Sequence, residues 1–442
     1  MITCYIERTR TFPYKRMSSF FIFLWEEIYM DLKKIIDKKN WAAKYMVDEI
    51  THICKTFEKR SPGSKGEQQA CEYMAKVLKE DCGCDSAEVE SFKEHPGAFY
   101  GWLYYTMTLV LIAVVFYFFC PIVSIIAIAV GLFLVLAEFG VYKKLIDPLF
   151  KEKTGHNVTA IKKCTGETKR RIIFNGHPDA AWEWPVNYAL GGVGFEGHAL
   201  LGFGGAIFYL ILAIINVAKN GVSFGVASLD STLTKVGLWG LLFVPFFIGL
   251  YFMVNYRRVV DGANDNLSGC YMGIAILKAL KDEGVELENT EIGVVLTGSE
   301  EAGLRGAKAW CEQHKDDFKD VPTFIFSYDT IHDPKFLMTN YRDLNGTVKA
   351  DKDVSDLFME AAQAVDVPCK KGWVPPLGGA TDSAAFAQAG FRATGVTGLN
   401  HKLESYYHTR RDTYDNMDEE GLANCFAASV KALEMFDDGA KQ

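Results

Sequence analysis

The stretch Thr297-Gly-Ser-Glu300-Glu301-Ala-Gly303-Leu-Arg-Gly306 closes an apolar run, Ile292 to Leu296, that reads as a buried strand. A strand ending in two adjacent carboxylates and then glycine puts both acids at the carboxyl edge of a sheet, where open α/β sheets build their sites. Two acids held together there are costly unless something positive lies between them. They can also divide the work, one binding a metal while the other, slightly withdrawn, serves as general base. Taken alone, such a run is more often a solvated acidic turn, so its meaning depends on partners elsewhere in the chain.

Composition narrows the setting. The 442 residues leave room for two or three domains, and an apolar share of 49% with mean hydropathy +0.04 is high for a soluble enzyme, which points to membrane segments. A net charge of -8 argues against nucleic acid as a partner. The eleven cysteines form no regular framework, and Cys82-Gly-Cys84 is too closely spaced for half of a zinc ribbon, so reduced thiols in a cytosolic compartment fit best.

Residues 1–29 combine a basic start (Arg8, Arg10, Lys15, Arg16) with an apolar run, Phe20 to Trp25, too short to span a bilayer, and read as a loose tail or a misplaced start outside the fold. More ordinary globular sequence then occupies residues 30–99. Helical spacing covers Trp41 to Phe57 and Ala70 to Leu78, and strands are expected at Glu88 to Phe92, Asn157 to Ile161, Arg171 to Asn175 and Thr323 to Ser327. Further helices are expected at Leu267 to Leu280, Ala307 to His314, Val354 to Val365 and Glu420 to Phe436. Alternating strands and helices predict an α/β fold with a mixed central sheet flanked by helices.

Two insertions interrupt it. Residues 102–137 carry no charge, and as one helix they would run about 54 Å, nearly twice the hydrocarbon thickness. Cys120-Pro121 splits them, which predicts a transmembrane hairpin over residues 100–142. A second pair of apolar runs, residues 200–218 and 236–256, predicts another hairpin over residues 199–256, with Gly202, Gly204, Gly205, Gly237 and Gly240 allowing close helix contact. Four inserted transmembrane helices thus divide the α/β sequence into residues 30–99, 143–198 and 257–442. A transporter would need ionisable residues inside its spans, which these runs lack.

The partners of Glu300 and Glu301 follow from the rest of the chain. His177-Pro-Asp179 ends a strand and offers an imidazole with a carboxylate able to fix its orientation. Asp265, in Gly262-Ala-Asn-Asp-Asn-Leu-Ser-Gly269, opens a helix, where it can bridge two cations or merely cap. Asp329 ends a strand, and His408 lies in the polar run Tyr406-Tyr-His-Thr-Arg-Arg-Asp412.

This ordered set, together with Thr381-Asp382-Ser383-Ala-Ala-Phe386, resembles metallopeptidase family 28, the co-catalytic di-zinc aminopeptidases and glutamate carboxypeptidases. The resemblance covers roughly residues 41–92, 156–195 and 257–436 and implies a zinc-exopeptidase-like, phosphorylase/hydrolase-like sandwich. It implies two Zn2+ ions, one held by His177 and Asp329, the other by Glu301 and His408, with Asp265 bridging. Glu300 would be the general base, Asp179 would orient His177, and Tyr407 would donate to the oxyanion. Pro178 and Ser327-Tyr328 depart from the family pattern without removing a ligand.

The implied activity is a membrane-embedded peptidase acting on a peptide substrate, most simply an aminopeptidase. A carboxypeptidase or dipeptidase, a single-zinc glutaminyl-cyclase-like enzyme and a non-catalytic membrane scaffold are the alternatives. Lys143, Lys144, Arg257 and Arg258 flank the spans on the catalytic side, against Lys219 and Lys235 with Asp230 on the other, so the positive-inside rule puts catalysis in the cytoplasm. With Asn157 to Ile161 antiparallel beside Arg171 to Asn175, both insertions leave from the catalytic edge. The spans would then surround the metal cleft, with Trp182 and Trp184 lining its mouth or lying at the membrane interface.

Overall fold

A computed structural model describes residues 32–400 and 405–441, so the tail expected over residues 1–29 lies outside the described residues. Residues 32–37 (α1) lead into α2 (Lys39–Thr56), whose Ala42, Ala43, Met46, Ile50 and Ile53 are buried, and α3 (Lys65–Lys76), capped by Ser64, whose side chain accepts from Glu67 N. Strand β1 (Ser86–Glu94) then leads into two helices, α4 (Ala98–Tyr117) and α5 (Pro121–Leu134), the latter prolonged by a wider helical turn to Gly140. Next come β2 (Lys153–Lys162), β3 (Arg170–Gly176), the short β4 (Trp182–Glu183), and helices α6 (Pro185–Asn220), α7 (Thr232–Gly240) and α8 (Val244–Tyr251). After β5 (Asn255–Val259) the chain runs through α9 (Ser268–Glu283), β6 (Thr290–Thr297), α10 (Arg305–Gln313), β7 (Thr323–Ile331), β8 (Met338–Asn340), β9 (Arg342–Asp343) and β10 (Val348–Lys349). It closes with α11 (Lys352–Ala364), β11 (Lys370–Gly372), α12 (Asp382–Gln388), β12 (Arg392–Gly398) and α13 (Glu419–Asp437).

The main sheet has eight strands in the order β1-β2-β6-β3-β7-β12-β8-β11. Every residue of β6 is buried, as expected for a central strand covered on both faces. It is the carboxyl end of this strand that carries Glu300 and Glu301. The expected adjacency of Asn157–Ile161 and Arg171–Asn175 is not found, because β6 lies between their strands. Its apolar run takes the central place and pairs antiparallel with β2 and parallel with β3, so the relative direction of those two strands is as expected although they do not touch. Strand β12, between β7 and β8, has no counterpart among the expected elements: Thr394, Gly395, Thr397 and Gly398 give it little apolar pattern.

Four helices are long and apolar enough to cross a membrane: Ala98–Tyr117, Pro121–Gly140, Pro185–Asn220 and Thr232–Tyr251, the last including the tight turn between α7 and α8. The first hairpin breaks at Cys120-Pro121 as expected. The second begins earlier than residue 199, because α6 starts at Pro185 and bends at Gly191, which has φ 69°. Glu196 and His198 therefore ride on a span-length helix that the apolar run alone did not include. The helices meet through small residues. A Cβ on Gly205 would lie 2.6 Å from Phe243 and one on Gly237 2.3 Å from Tyr117. Ser124 Oγ donates to Ala113 O at 2.6 Å and Tyr209 OH to Gly237 O at 2.9 Å, which satisfies polar groups inside the bundle. Outward, Phe133, Leu200 and Trp239 are 60%, 73% and 73% exposed, an apolar exterior that water would not tolerate cheaply.

Both hairpins turn at the same end of the bundle, since Gly225 N and Ala227 N of the second donate to Phe119 O and Phe118 O of the first. Their other ends rest on the catalytic edge of the sheet. Glu94, the last residue of β1, pairs with Lys153, the first of β2, and Asn157 pairs with Thr297 at the carboxyl end of β6. The first hairpin packs onto the Glu300-Glu301 turn: a Cβ on Gly303 would stand 2.6 Å from Phe99 Cδ2, and Gly303 itself has φ 93°. Gly303→Ala is therefore expected to cost about 1–3 kcal/mol of stability and to loosen the turn. A thermal melt of the detergent-solubilised variant that matches the parent would refute this contact.

Candidate metal centre

Each element ends by delivering one polar side chain to the same point. His177 follows β3, Asp329 lies near the end of β7, and Glu300 and Glu301 form a single tight turn after β6, entered through Ser299 at φ 56°. Asp265 sits in the irregular turn Ala263–Leu267 before α9. Two carboxylates hold these loops together. Asp179 accepts from Glu300 N and Glu301 N at 3.0 Å each, and Asp412 accepts from Asn264 N at 2.8 Å and Asp265 N at 3.1 Å. Asn266 ties the Asp265 turn to the end of β7 by donating to Tyr328 O and accepting from Thr330 N.

The ligand-type atoms form two triads that share one residue. His177, Asp265 and Asp329 make one, Asp265, Glu301 and His408 the other, and within each the facing atoms lie within 4.8 Å of one another. His177 Nε2 is 3.4 Å from Asp265 Oδ1, and His408 Nε2 is 3.1 Å from both Asp265 Oδ2 and Glu301 Oε1. His177 Nδ1 faces Asp179 at 3.4 Å without closing a hydrogen bond, and Glu300 Oε2 lies 3.9 Å from His177 Nε2.

The charge balance explains what these triads are fit to hold. Burial would by itself lower both imidazoles, yet Asp179 and Asp265 raise His177 well above its usual value, and Glu301 and Asp265 push His408 up to about 10. Burial would raise Asp265, but the imidazoles of His177 and His408 facing it hold its carboxyl below the usual carboxylate range. Asp329, half-buried, is pushed up to about 7 by desolvation and by Asp265, and burial also raises Glu300 and Glu301. Several acids thus compete for too little positive charge. His177 Nε2, Asp265 Oδ2 and Glu301 Oε1 are buried without a hydrogen-bond partner, although all three point into the shared space. Imidazole and carboxylate donors in two closed triads are a set that suits divalent cations.

The five expected ligands and Glu300 thus converge, with Asp179 beneath them. Tyr407 stacks on the His408 ring at 4.1 Å, and Trp184 meets that ring edge-on at 4.3 Å. Trp184 therefore walls the centre, whereas Trp182 is buried against Tyr256 at 4.9 Å and reaches neither the mouth nor an interface. Further residues complete the surroundings. Tyr100 and Tyr142, from the two ends of the first hairpin, are buried near the glutamates, and burial, then Glu300, raises the Tyr142 phenol. Asp382 accepts from Thr297 Oγ1 at 2.5 Å while its Oδ1 has no partner. Glu67 and Glu94 lie behind the turn, where the Ser299 hydroxyl reaches both at 2.7 Å. Glu67 stands three residues after Ser64, where it reads as half of a capping box, so its sequence position conceals its place behind the centre.

The sequence model of Peptidase family M28 matches residues 243–433. The resemblance to metallopeptidase family 28 holds. None of the curated proteins matches the chain. Among solved structures, BSAP, a zinc aminopeptidase from Bacillus subtilis, aligns with a TM-score of 0.53 at 14% identity, covering 89% of this chain and 95% of that one. An aminopeptidase from Aneurinibacillus sp. strain AM-1 gives 0.51 at 15%, covering 89% and 93%. The glutaminyl cyclase of Porphyromonas gingivalis gives 0.50 at 11%, covering 91% and 98%. At these identities the likeness is one of fold. The family segment holds Asp265, Glu301, Asp329 and His408, while His177 and Asp179 come from outside it and are brought in by β3.

One hydroxyl hydrogen on Ser299 cannot serve two carboxylates, so one of Glu67 and Glu94 carries a proton. Burial, and then Glu67, pushes Glu94 up to about 8. The folded chain then keeps a proton that the unfolded chain releases near pH 4.3, so stability falls as pH rises from about 4 to about 8. Glu94→Gln is expected to melt above the parent at pH 9, with the gap closing by pH 5. A gap of the same size at both pH values would show that Glu94 is not the protonated member.

Proposed function

We propose that the chain is a membrane-embedded zinc metallopeptidase that holds two metal ions and removes residues from the amino end of peptides. The observation that carries this reading is the pair of triads sharing Asp265. His177 and Asp329 would hold one ion, Glu301 and His408 the other, and Asp265 both. Bound zinc would polarise the scissile carbonyl and make the attacking water more acidic. The zinc of BSAP, a protein of the same fold, supports the choice of metal.

The chain's own residues supply the rest. Glu300 is less enclosed than Glu301 and lies beside the first triad, placed to take a proton from water and return it to the departing amine. Asp179 fixes this arrangement twice, facing His177 and accepting both backbone N–H groups of the glutamate turn. Tyr407, stacked on His408, is kept protonated by burial and is the hydroxyl suited to donate to the developing oxyanion.

An amino end suits this centre better than a carboxyl end. The arginines on and around the ligand segments are committed: Arg60 to Pro178 O and Gly262 O, Arg305 to Asp147, Arg410 to Glu183, and Arg411 to Tyr188 O. A substrate carboxylate would meet none of them free among the described residues, whereas an ammonium group would meet an excess of acids. The likeness in fold to a glutaminyl cyclase supports a second, cyclase-like reading, and the completeness of both triads favours the two-ion peptidase.

Glu300→Gln is expected to keep its metal and melting temperature while kcat on an aminoacyl amide falls by about 10²–10⁴; near-normal turnover would remove Glu300 from the role of base. Asp265→Ala is expected to lose both ions in elemental analysis of purified protein, since a bridging ligand serves each. Retention of either ion at full occupancy would break the bridging assignment.

The four apolar helices support embedding in a bilayer, and the basic residues Lys143, Lys144, Arg257 and Arg258 at their catalytic ends support a cytoplasmic peptidase domain. An epitope inserted at Ser228 should then be stained from outside intact cells. Staining there only after permeabilisation would invert the orientation.

A further inference from the structure

In a chain of net charge -8, one groove carries the opposite sign. Strands β9, β10 and β11 and the start of α11 enclose a groove of about 410 Å3 lined by Tyr341, Arg342, Lys349, Lys352, Lys371 and Trp373. Lys352 is paired with Asp356, and Lys371 lies over the Tyr341 ring at 4.0 Å. Arg342 donates only to the Gly346 carbonyl, at 3.3 Å, and Lys349 has no ionic partner among the described residues. Two cations thus face the groove uncompensated, with a third held over an aromatic ring beside it. No member of the metal centre takes part.

The position of the groove tells what anion it meets. Asn345 Nδ2 donates to Phe139 O and Gly140 O, the final turn of the first hairpin, while Asn345 N donates to Gly379 O. Gly346, the next residue, packs on Trp373, whose ring would stand 3.0 Å from a Cβ there. The groove is therefore one loop away from the end of a span-length helix. Trp373 and Leu377 project from this loop, 52% and 63% exposed, and across from them the hairpin exit exposes Val141, Lys143, Lys144 and Leu145. Exposed apolar tips set among lysines and arginines beside a membrane helix are the make-up of an interfacial anchor on anionic lipid.

We propose that this groove binds the phosphate-bearing headgroup of an anionic membrane phospholipid, with Trp373 and Leu377 in the interfacial layer beside it. The inference rests on the reading of the four helices as membrane spans. Arg342 and Lys349 hold the headgroup phosphate, and Lys371 adds charge from its seat on Tyr341. The bound lipid steadies the loop 373–380, which reaches the centre through Gly379, whose Cβ position is 3.6 Å from the Tyr142 hydroxyl. Headgroup occupancy and the wall of the metal centre are joined by this one loop.

The test titrates the full-length protein in detergent with dihexanoyl phosphatidylglycerol, dihexanoyl phosphatidylcholine and inorganic phosphate, following melting temperature and tryptophan fluorescence. The glycerol lipid is expected to raise the melting temperature and shift the emission to the blue, and the other two to do neither. Lys349→Gln/Lys371→Gln should weaken that response about tenfold or more, with metal content and hydrolysis of a soluble aminoacyl amide unchanged. Trp373→Ser should keep the thermal response and lose the fluorescence shift. An equal response to phosphatidylcholine, reproduction of the effect by inorganic phosphate alone, or a double variant that titrates like the parent would each overturn the proposal. Resistance of the protein to carbonate extraction from membranes tests the spanning reading separately, so a chain that stays in the bilayer without a headgroup preference sinks the groove alone.

Discussion

Buried negative charge at one edge of a sheet is the constraint on which the rest of this structure depends. Asp265, Glu301, Asp329 and Glu300 are brought within a few ångströms, and neither His177 nor His408 balances them by itself. A buried carboxylate without a counter-charge costs several kcal/mol, so the fold tolerates this arrangement only by fixing every loop that bears an acid. Asp179 and Asp412 do this through backbone N–H groups, not through further cations. The charge is thereby left for something bound.

That requirement also explains how the rigid half of the molecule is built. Strand β6 must be central, because its carboxyl end carries two of the acids and its neighbours β2 and β3 supply the walls. Asn157, paired opposite Thr297, donates to Gly306 O and accepts from Gly298 N, closing both sides of the glutamate turn from the neighbouring strand. Glycines at 298 and 306 are needed where these backbones touch, since a Cβ on Gly306 would lie 2.1 Å from Gly298 O. The turn is specified by packing as much as by its own residues.

Much of this was legible in the chain because the chemistry is local in sequence even where it is distant in space. Glu300-Glu301 after an apolar run, His177-Pro-Asp179, and Asp265 before α9 each announce an acid or imidazole at the end of an element. The charge-free run broken at Cys120-Pro121 announced a hairpin for the same reason, a composition that nothing else suits. What stayed hidden depends on tertiary placement. The order of β2, β6 and β3 cannot be read from strands of similar apolar pattern, and β12 hides because small and hydroxyl residues suffice where neighbours on both sides bury it. The start of α6 was concealed by Glu196 and His198, whose polarity ends an apolar window but not a helix. Glu67 and Glu94 were invisible because their role arises from Ser299, more than 200 residues away.

The two insertions are placed where the fold can absorb them and where they affect the centre most. Lengthening a connection adds little closure entropy, so the links β1–β2 and β4–β5 can each open into an apolar helical hairpin without disturbing the sheet that carries the acids. Both links leave from the catalytic edge, however, and their ends do not stay aloof from it. Phe99 packs on Gly303 with Tyr100 and Tyr142 against its ring, Trp184 leans on His408, and Trp184 N donates to His408 O. Asn187, in the first turn of α6, donates to the Tyr407 carbonyl. These positions are the roots of three of the four apolar helices, so the same side chains that anchor the bundle also form the inner wall of the metal centre, and a shift of the bundle against the sheet is transmitted to His408 and to the Glu300-Glu301 turn by direct contact.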